Sequence, residues 1–385
     1  MIRRPFQVAV DGVLLAASLS AGARTWTNAL GRTFEAEFVR MDGGNVIFVL
    51  PEGRAFSSPL ADLSPTDRAA LQAGARSAGA VAPTFNRPWP REVRLDGPVA
   101  CKVISEDPKS GRYVYESPSY RFTCDARVTD DALRNFSVMF ETTRRYVQSI
   151  PLSLGGGRDR NGKLDILLFR SMDQYIMAGG PPSSAGCYAQ CLVLVPMASL
   201  GLKEGGTGFS LDIARPNHVL IHELAHQLTP EAYMGSGTRG WFSEGLAEYV
   251  AITPYTWGCF RPDIHGNVVK AYVTSRGGDG IGGRSLGTDI AAPKLKDFML
   301  IPYARYSGQE ANFNYGLGLL LTHYFFHMEG GGKAFRITRF LNELEAGREG
   351  EASLAPLLGG GTYEKLEGEI SAAWARMGVR IRFGE

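Results

Sequence analysis

Residues 218–230 read His218-Val-Leu-Ile-His222-Glu223-Leu-Ala-His226-Gln-Leu-Thr-Pro230, and residues 241–249 read Trp241-Phe-Ser-Glu244-Gly-Leu-Ala-Glu248-Tyr249. The first stretch has helical spacing, with Asn217 as a good N-cap and Pro230 as a stop after Thr229. Residues four apart share one helical face, so the imidazoles of His222 and His226 can reach a single ion, while Glu223 points at the ion's open side. Leu220, Ile221, Leu224 and Leu228 fall on the opposite side and supply the face to be buried.

In the second stretch the first carboxylate, Glu244, follows His226 after seventeen intervening residues. It reads as another helix, capped by Ser243, on which Glu244 can complete a two-histidine, one-glutamate set for catalytic zinc, with the fourth position left to water. Glu248 lies one turn further along the same face. There it can accept the free ring N–H of a ligating histidine and hold its tautomer. His218 precedes His222 by one turn, but three coordinating imidazoles from one straight helix would strain the geometry. It is therefore read as a neighbour of the site, a substrate contact or a solvent-exposed residue.

The H-E-x-x-H motif followed by W-F-x-E-G-x-A-E-Y resembles the gluzincin metallopeptidases, within the peptidase MA-like superfamily, over most of residues 96–385. The resemblance implies an α+β fold, a zincin-like domain of mixed sheet and active-site helices. It makes His222, His226 and Glu244 the ligands of Zn2+ and Glu223 the general base. Asn314-Tyr315-Gly-Leu-Gly318 is similar to the Y-x-x-G segment of the family's aminopeptidases, which makes Tyr315 the oxyanion donor; a packing role for this tyrosine stays open. No G-x-M-E-N run precedes the motif, so exopeptidase action does not follow. The metzincin pattern fails at Thr229 and Ala232, and Gly237-Thr-Arg-Gly-Trp241 lacks an aspzincin aspartate.

Upstream of this domain the chain changes character. Residues 1–23 have the three-part layout of a secretory signal, with Met1-Ile-Arg-Arg, an apolar stretch around Val13–Leu19 and Ala21-Gly-Ala23, which implies export to a periplasmic or extracellular space. Residues 24–72 alternate strand-like runs with turns. Their Gly31-Arg-Thr-Phe-Glu-Ala-Glu-Phe-Val39 and Pro59-Leu-Ala-Asp-Leu-Ser-Pro-Thr-Asp67 resemble the SH3-like first homology domain of the Sla endocytic adaptors, which implies a peptide-binding or cell-wall-contacting module. Residues 73–95, rich in Ala, Gly, Ser and Pro, read as a linker. The five cysteines match no zinc-binding pair. In an exported chain Cys101 with Cys124 and Cys187 with Cys191 can pair; buried free thiols are the alternative.

The 385 residues carry 41 Lys+Arg against 39 Asp+Glu, a formal charge of +2 that offers no footprint for nucleic acid. No apolar run after the leader approaches the roughly 18 residues of a membrane span. Further strands are expected at Val99–Ile104, Tyr120–Cys124, Lys163–Phe169 and Cys191–Val195, and helices over 129–149, 314–328 and 362–377. The strand Cys191–Val195 offers an edge to which an extended peptide could add, or else is buried. His323 and His327, among aliphatic and aromatic neighbours, read as core or helix-end histidines. Arg239 reads as a solvated residue or a contact for a substrate carboxylate. The function expected is zinc-dependent hydrolysis of peptide or other amide bonds; the alternative is a non-catalytic, zinc-containing binding or scaffold protein of the cell envelope.

Overall fold

The computed structural model describes residues 23–42, 45–50, 55–69, 71, 88–152, 162–182, 184–189, 192–211, 218–234, 237–275 and 283–384. The chain divides into two compact units, Met1–Ala80 and Val81–Glu385. The leader expected over 1–23 lies outside the described residues apart from Ala23.

The first unit holds an antiparallel meander of β1 (Ala23–Thr27), β2 (Thr33–Asp42), β3 (Asn45–Val49) and β4 (Ala55–Pro59). Alternation of apolar and polar residues sends Trp26, Ala36, Val46 and Phe48 to one side, where they are buried with Leu63 and Leu71. Trp26 donates its ring N–H to the Ala36 carbonyl at 2.8 Å and meets Phe48 edge-on at 4.9 Å. Asp67 accepts from the Thr27 amide at 2.8 Å and from the Ser64 hydroxyl at 3.0 Å, and so ties the segment after β4 back to β1.

The second unit is α+β. Its main sheet contains β5 (Lys102–Asp107), β6 (Arg112–Glu116), β7 (Tyr120–Cys124), β8 (Leu164–Phe169), β9 (Cys187–Ala189) and β10 (Leu192–Pro196), in the spatial order β9-β10-β8-β7-β6-β5. β7, β8 and β10 run parallel, and the remaining pairs are antiparallel. Between β7 and β8 the chain crosses over through α1 (Asp130–Ser149), whose N-cap is Thr129, its hydroxyl accepting from the Ala132 amide. The longer helices that follow are α2 (His218–Leu228), α3 (Gly240–Ala251), α4 (His265–Thr274), α5 (Ala311–His323), α6 (Phe335–Glu345) and α7 (Tyr363–Arg376). Among the described residues no helix is long and apolar enough to cross a membrane.

Several sequence expectations are corrected here. Of the two readings of the strand ending at Val195 the edge is set aside and the buried one holds: over Leu192–Pro196 β10 pairs with β8 on one side and β9 on the other, and the terminal position falls to Cys187–Ala189. Helix α3 starts three residues before Ser243, so that residue sits inside the first turn, buried, rather than capping it. The strand expected at Val99–Ile104 is displaced to Lys102–Asp107 and is exposed throughout. Cys101 and Cys124 are free thiols, as are Cys187 and Cys259; Cys191 and the Asn217 cap lie outside the described residues. The end of the segment read as a linker joins the second unit: Trp89 packs against Tyr249 and Phe326, and Val93 pairs with Phe260.

Two close approaches decide where α3 and α5 cross. A Cβ on Gly245 would stand 2.5 Å from the Gly318 carbonyl oxygen, and one on Gly318 would stand 2.8 Å from the Trp241 carbonyl oxygen. Only glycine permits backbones this near. The crossing brings Tyr315, one turn before Gly318, beside the helix that carries Glu244.

Candidate metal centre

Helix α2 is held by its apolar face, with Leu220, Leu224 and Leu228 at 0% exposure and Ile221 at 2%. Burying each such side chain stabilises by about 1.5–3 kcal/mol, and the opposite face is thereby presented to α3. Gln227 donates to the Asp165 carbonyl of β8 at 3.0 Å, which anchors the helix to the sheet.

On the presented face His222 Nε2 lies 3.1 Å from His226 Nε2 and 3.1 Å from Glu244 Oε2, and His226 Nε2 lies 3.4 Å from the same oxygen. Three donor atoms thus face one another in a near-equilateral triangle. Ligands about 2.0–2.1 Å from a tetrahedral zinc are separated by roughly 3.3–3.4 Å. One proton cannot bridge all three edges of the triangle, whereas one cation held by all three donors can. The two imidazoles and one carboxylate therefore fit a zinc-class ion both in donor chemistry and in spacing. His222 is 12% exposed at its side chain and Glu244 1%, so the set meets solvent from the histidine side.

The supporting shell is ionic. Glu248 Oε1 accepts from His222 Nδ1 at 3.0 Å, which leaves the His222 Nε2 lone pair facing the triangle. Arg284 grips the same carboxylate through two bonds, Nη2 to Oε1 at 2.6 Å and Nε to Oε2 at 3.0 Å. Tyr303 donates its hydroxyl to Glu244 Oε1 at 2.7 Å. Burial opposes charge on both carboxylates. The histidines outweigh it at Glu244 and hold that carboxyl well below its ordinary value; hydrogen bonds from His222 and attraction to Arg284 bring Glu248 down to about 2. Burial likewise opposes a charged His222 ring, but Glu244 and Glu248 lift it to about 10. The direction of that lift reflects the negative charge that the two carboxylates bring to the site.

Glu223 sits on the adjoining side of α2. Burial raises its carboxyl above the ordinary value and Glu244 adds to the rise; His222, His226 and the Tyr188 amide, which donates to it, act in the other direction. The backbone at Gly186 passes so close that an added Cβ would lie 3.3 Å from Glu223 Cγ. The terminal strand β9 therefore runs directly past the base candidate. Tyr315 stacks on His222 with ring centroids 6.0 Å apart and planes 10° from parallel, and Arg284 lies 5.1 Å from its ring centroid. Burial, then the charges of Glu244, Glu223 and Glu248, push the Tyr315 phenol up, so it stays a proton donor.

The site thus gathers His222, Glu223, His226, Glu244, Glu248 and Tyr315 from three helices. His218 is partly exposed and its Nδ1 lacks a partner; it contributes no atom to the triangle. Arg239 is not a free solvated side chain, since it donates to the Met234 carbonyl at 2.9 Å and approaches Glu349 at 3.5 Å. Tyr303 and Arg284 escaped sequence reasoning, because no fixed spacing links them to Glu244 or Glu248 across 59 and 36 residues. No family model matches the sequence, and no curated protein or solved structure matches the chain.

Proposed function

We propose that this protein is a zinc-dependent hydrolase of peptide bonds, of gluzincin type. The observation that carries the reading is the pairing of an open three-donor set, His222, His226 and Glu244, with an unligated carboxylate, Glu223, next to it on the same helix. A structural zinc usually takes four protein ligands and needs no base.

Zinc held by the three side chains would supply a Lewis acid and an acidified water. Glu223 then takes a proton from the attacking water and returns it to the leaving amine, a role suited to a carboxyl whose pKa lies above the ordinary range. The hydroxyl of Tyr315 donates to the oxygen on which negative charge develops. Tyr303 orients Glu244 through its 2.7 Å bond. Strand β9 is the terminal strand of the sheet and runs beside Glu223, so an extended peptide adding to its outer edge would bring a carbonyl to the site.

The test is cleavage of a mixed peptide library by the purified full chain, before and after treatment with a chelator and after zinc is restored. Cleavage that disappears with the chelator and returns with zinc supports the reading. A chain that binds zinc at the triangle yet leaves the library intact would be the non-catalytic scaffold instead.

A further inference from the structure

All six histidines of the chain are His218, His222, His226, His265, His323 and His327. Three of them belong to α2. The other three meet elsewhere, in the interior behind α3, and the reaction proposed above uses none of them.

His265 opens α4, His323 closes α5, and His327 lies in the π-helical turn Tyr324–Met328 that continues α5. Each offers a ring nitrogen within 4.8 Å of the other two. His265 and His323 are 1% and 4% exposed. Their rings stand together under an aromatic roof, with Tyr249 4.0 Å from His265, Trp89 4.4 Å from His327 and Trp374 5.5 Å from His323.

The orientation of the rings is informative. His265 Nε2 lies 2.9 Å from the Tyr249 carbonyl oxygen, which can only accept, so Nε2 carries the hydrogen and the Nδ1 lone pair points inward. That lone pair faces His323 Nδ1 at 3.3 Å. This spacing accommodates a hydrogen bond from the His323 ring, and roughly 3.3 Å is also the edge of a tetrahedron of imidazole ligands around a zinc-class ion. Donation of the distal N–H to a backbone carbonyl is also the usual second contact of a metal-bound histidine. His327 Nε2 lies 2.7 Å from the Tyr249 hydroxyl, which can donate or accept. Finally, π-turns are rare and concentrate at functional sites, and this one sets the rotation of His327 relative to His323.

We infer that His265, His323 and His327 form a second, buried metal site, taking a transition-metal ion of the zinc class that fastens α4 and the end of α5 to the carbonyl and hydroxyl of Tyr249 on α3. An imidazole-only donor set suits zinc, cobalt, nickel or copper and not magnesium or calcium. The inference is independent of the hydrolytic reading, because it concerns different ligands and a different face of α3.

Elemental analysis of the full-length protein tests it, using zinc as the probe. We expect about two zinc ions per chain in the wild type and about one both in the double variant His222→Ala with His226→Ala and in His323→Asn. The double variant, stripped and titrated with Co2+, is expected to develop a visible absorption band saturating near one equivalent. The inference is overturned if the folded double variant binds no metal and shows no such band, or if folded His323→Asn keeps the wild-type stoichiometry. Should His323→Asn fail to fold, the Co2+ titration of the double variant decides alone.

Discussion

Glu248 joins His222 to Arg284: its Oε1 lies 3.0 Å from the ring Nδ1 of the one and 2.6 Å from the guanidinium of the other. Glu248 is buried while Arg284 keeps 21% of its side chain exposed, and the carboxylate contributes no atom to the three-donor set. Its work is to hold the His222 ring at one rotation with Nε2 free. Neutralising Arg284 as Arg284→Met should leave Glu248 buried and half-paired, and metal affinity is expected to fall by about 10–100-fold. Competition with a calibrated chelator measures this; an unchanged affinity would mean that Glu248 holds the ring without help.

Glu223 contributes no atom to the three-donor set, and the proposed function makes it the base. Glu223→Gln should keep the metal, because all three donor atoms remain, and should lose about 10²–10⁴-fold in turnover on any peptide the wild type cleaves. Metal content and single-substrate kinetics on the same preparation separate the two effects. Loss of metal together with activity would remove Glu223 from the role of base.

Two tyrosine hydroxyls reach Glu244 or its surroundings, and they should respond differently. On the proposed mechanism Tyr315→Phe removes the donor to the developing oxyanion, so turnover should fall by about 10²–10³-fold while metal affinity holds. Tyr303→Phe removes the 2.7 Å bond to Glu244 Oε1, and its effect should show first as weaker metal binding. Reversal of this pattern would exchange the two roles.

The α3–α5 crossing leaves no room at Gly245. A Cβ there would meet Thr322 Oγ1 at 2.4 Å as well as the Gly318 carbonyl at 2.5 Å, and backbone cannot yield as a flexible side-chain end can. Gly245→Ala is expected to destabilise the second unit by about 3 kcal/mol or more, read as a lowered midpoint in denaturant. Because the same crossing brings Tyr315 beside His222, residual folded protein should also turn over more slowly.

The sequence was most informative where chemistry and periodicity coincide on one helix. His222 and His226 occupy consecutive turns of α2, and helical repeat alone puts their side chains on one face, with Glu223 on the adjoining side. Glu244 and Glu248 were legible for the same reason, as was the amphipathic run Asp130–Ser149 behind its Thr129 cap. Boundaries were less legible: Ser243 reads as a cap by type, but burial of the whole of Gly240–Ala251 extends α3 past it, since tertiary packing outweighs a single capping hydroxyl.

What the sequence by itself determined was a set of residue types in place: two imidazoles and a carboxylate at helical spacing, a second carboxylate on another helix, and apolar faces that would bury both. Tertiary structure alone decided which distant residues complete the site, as Arg284 and Tyr303 do, and which strand ends the sheet beside Glu223. It also decided that Cys101 and Cys124 stay apart as thiols, and that His265 joins His323 and His327. The physical reason is common to all four. Spacing along a helix follows from its fixed 3.6-residue turn, whereas the approach of two elements depends on how their side chains and glycines fill the space between them, and no local pattern records that distance.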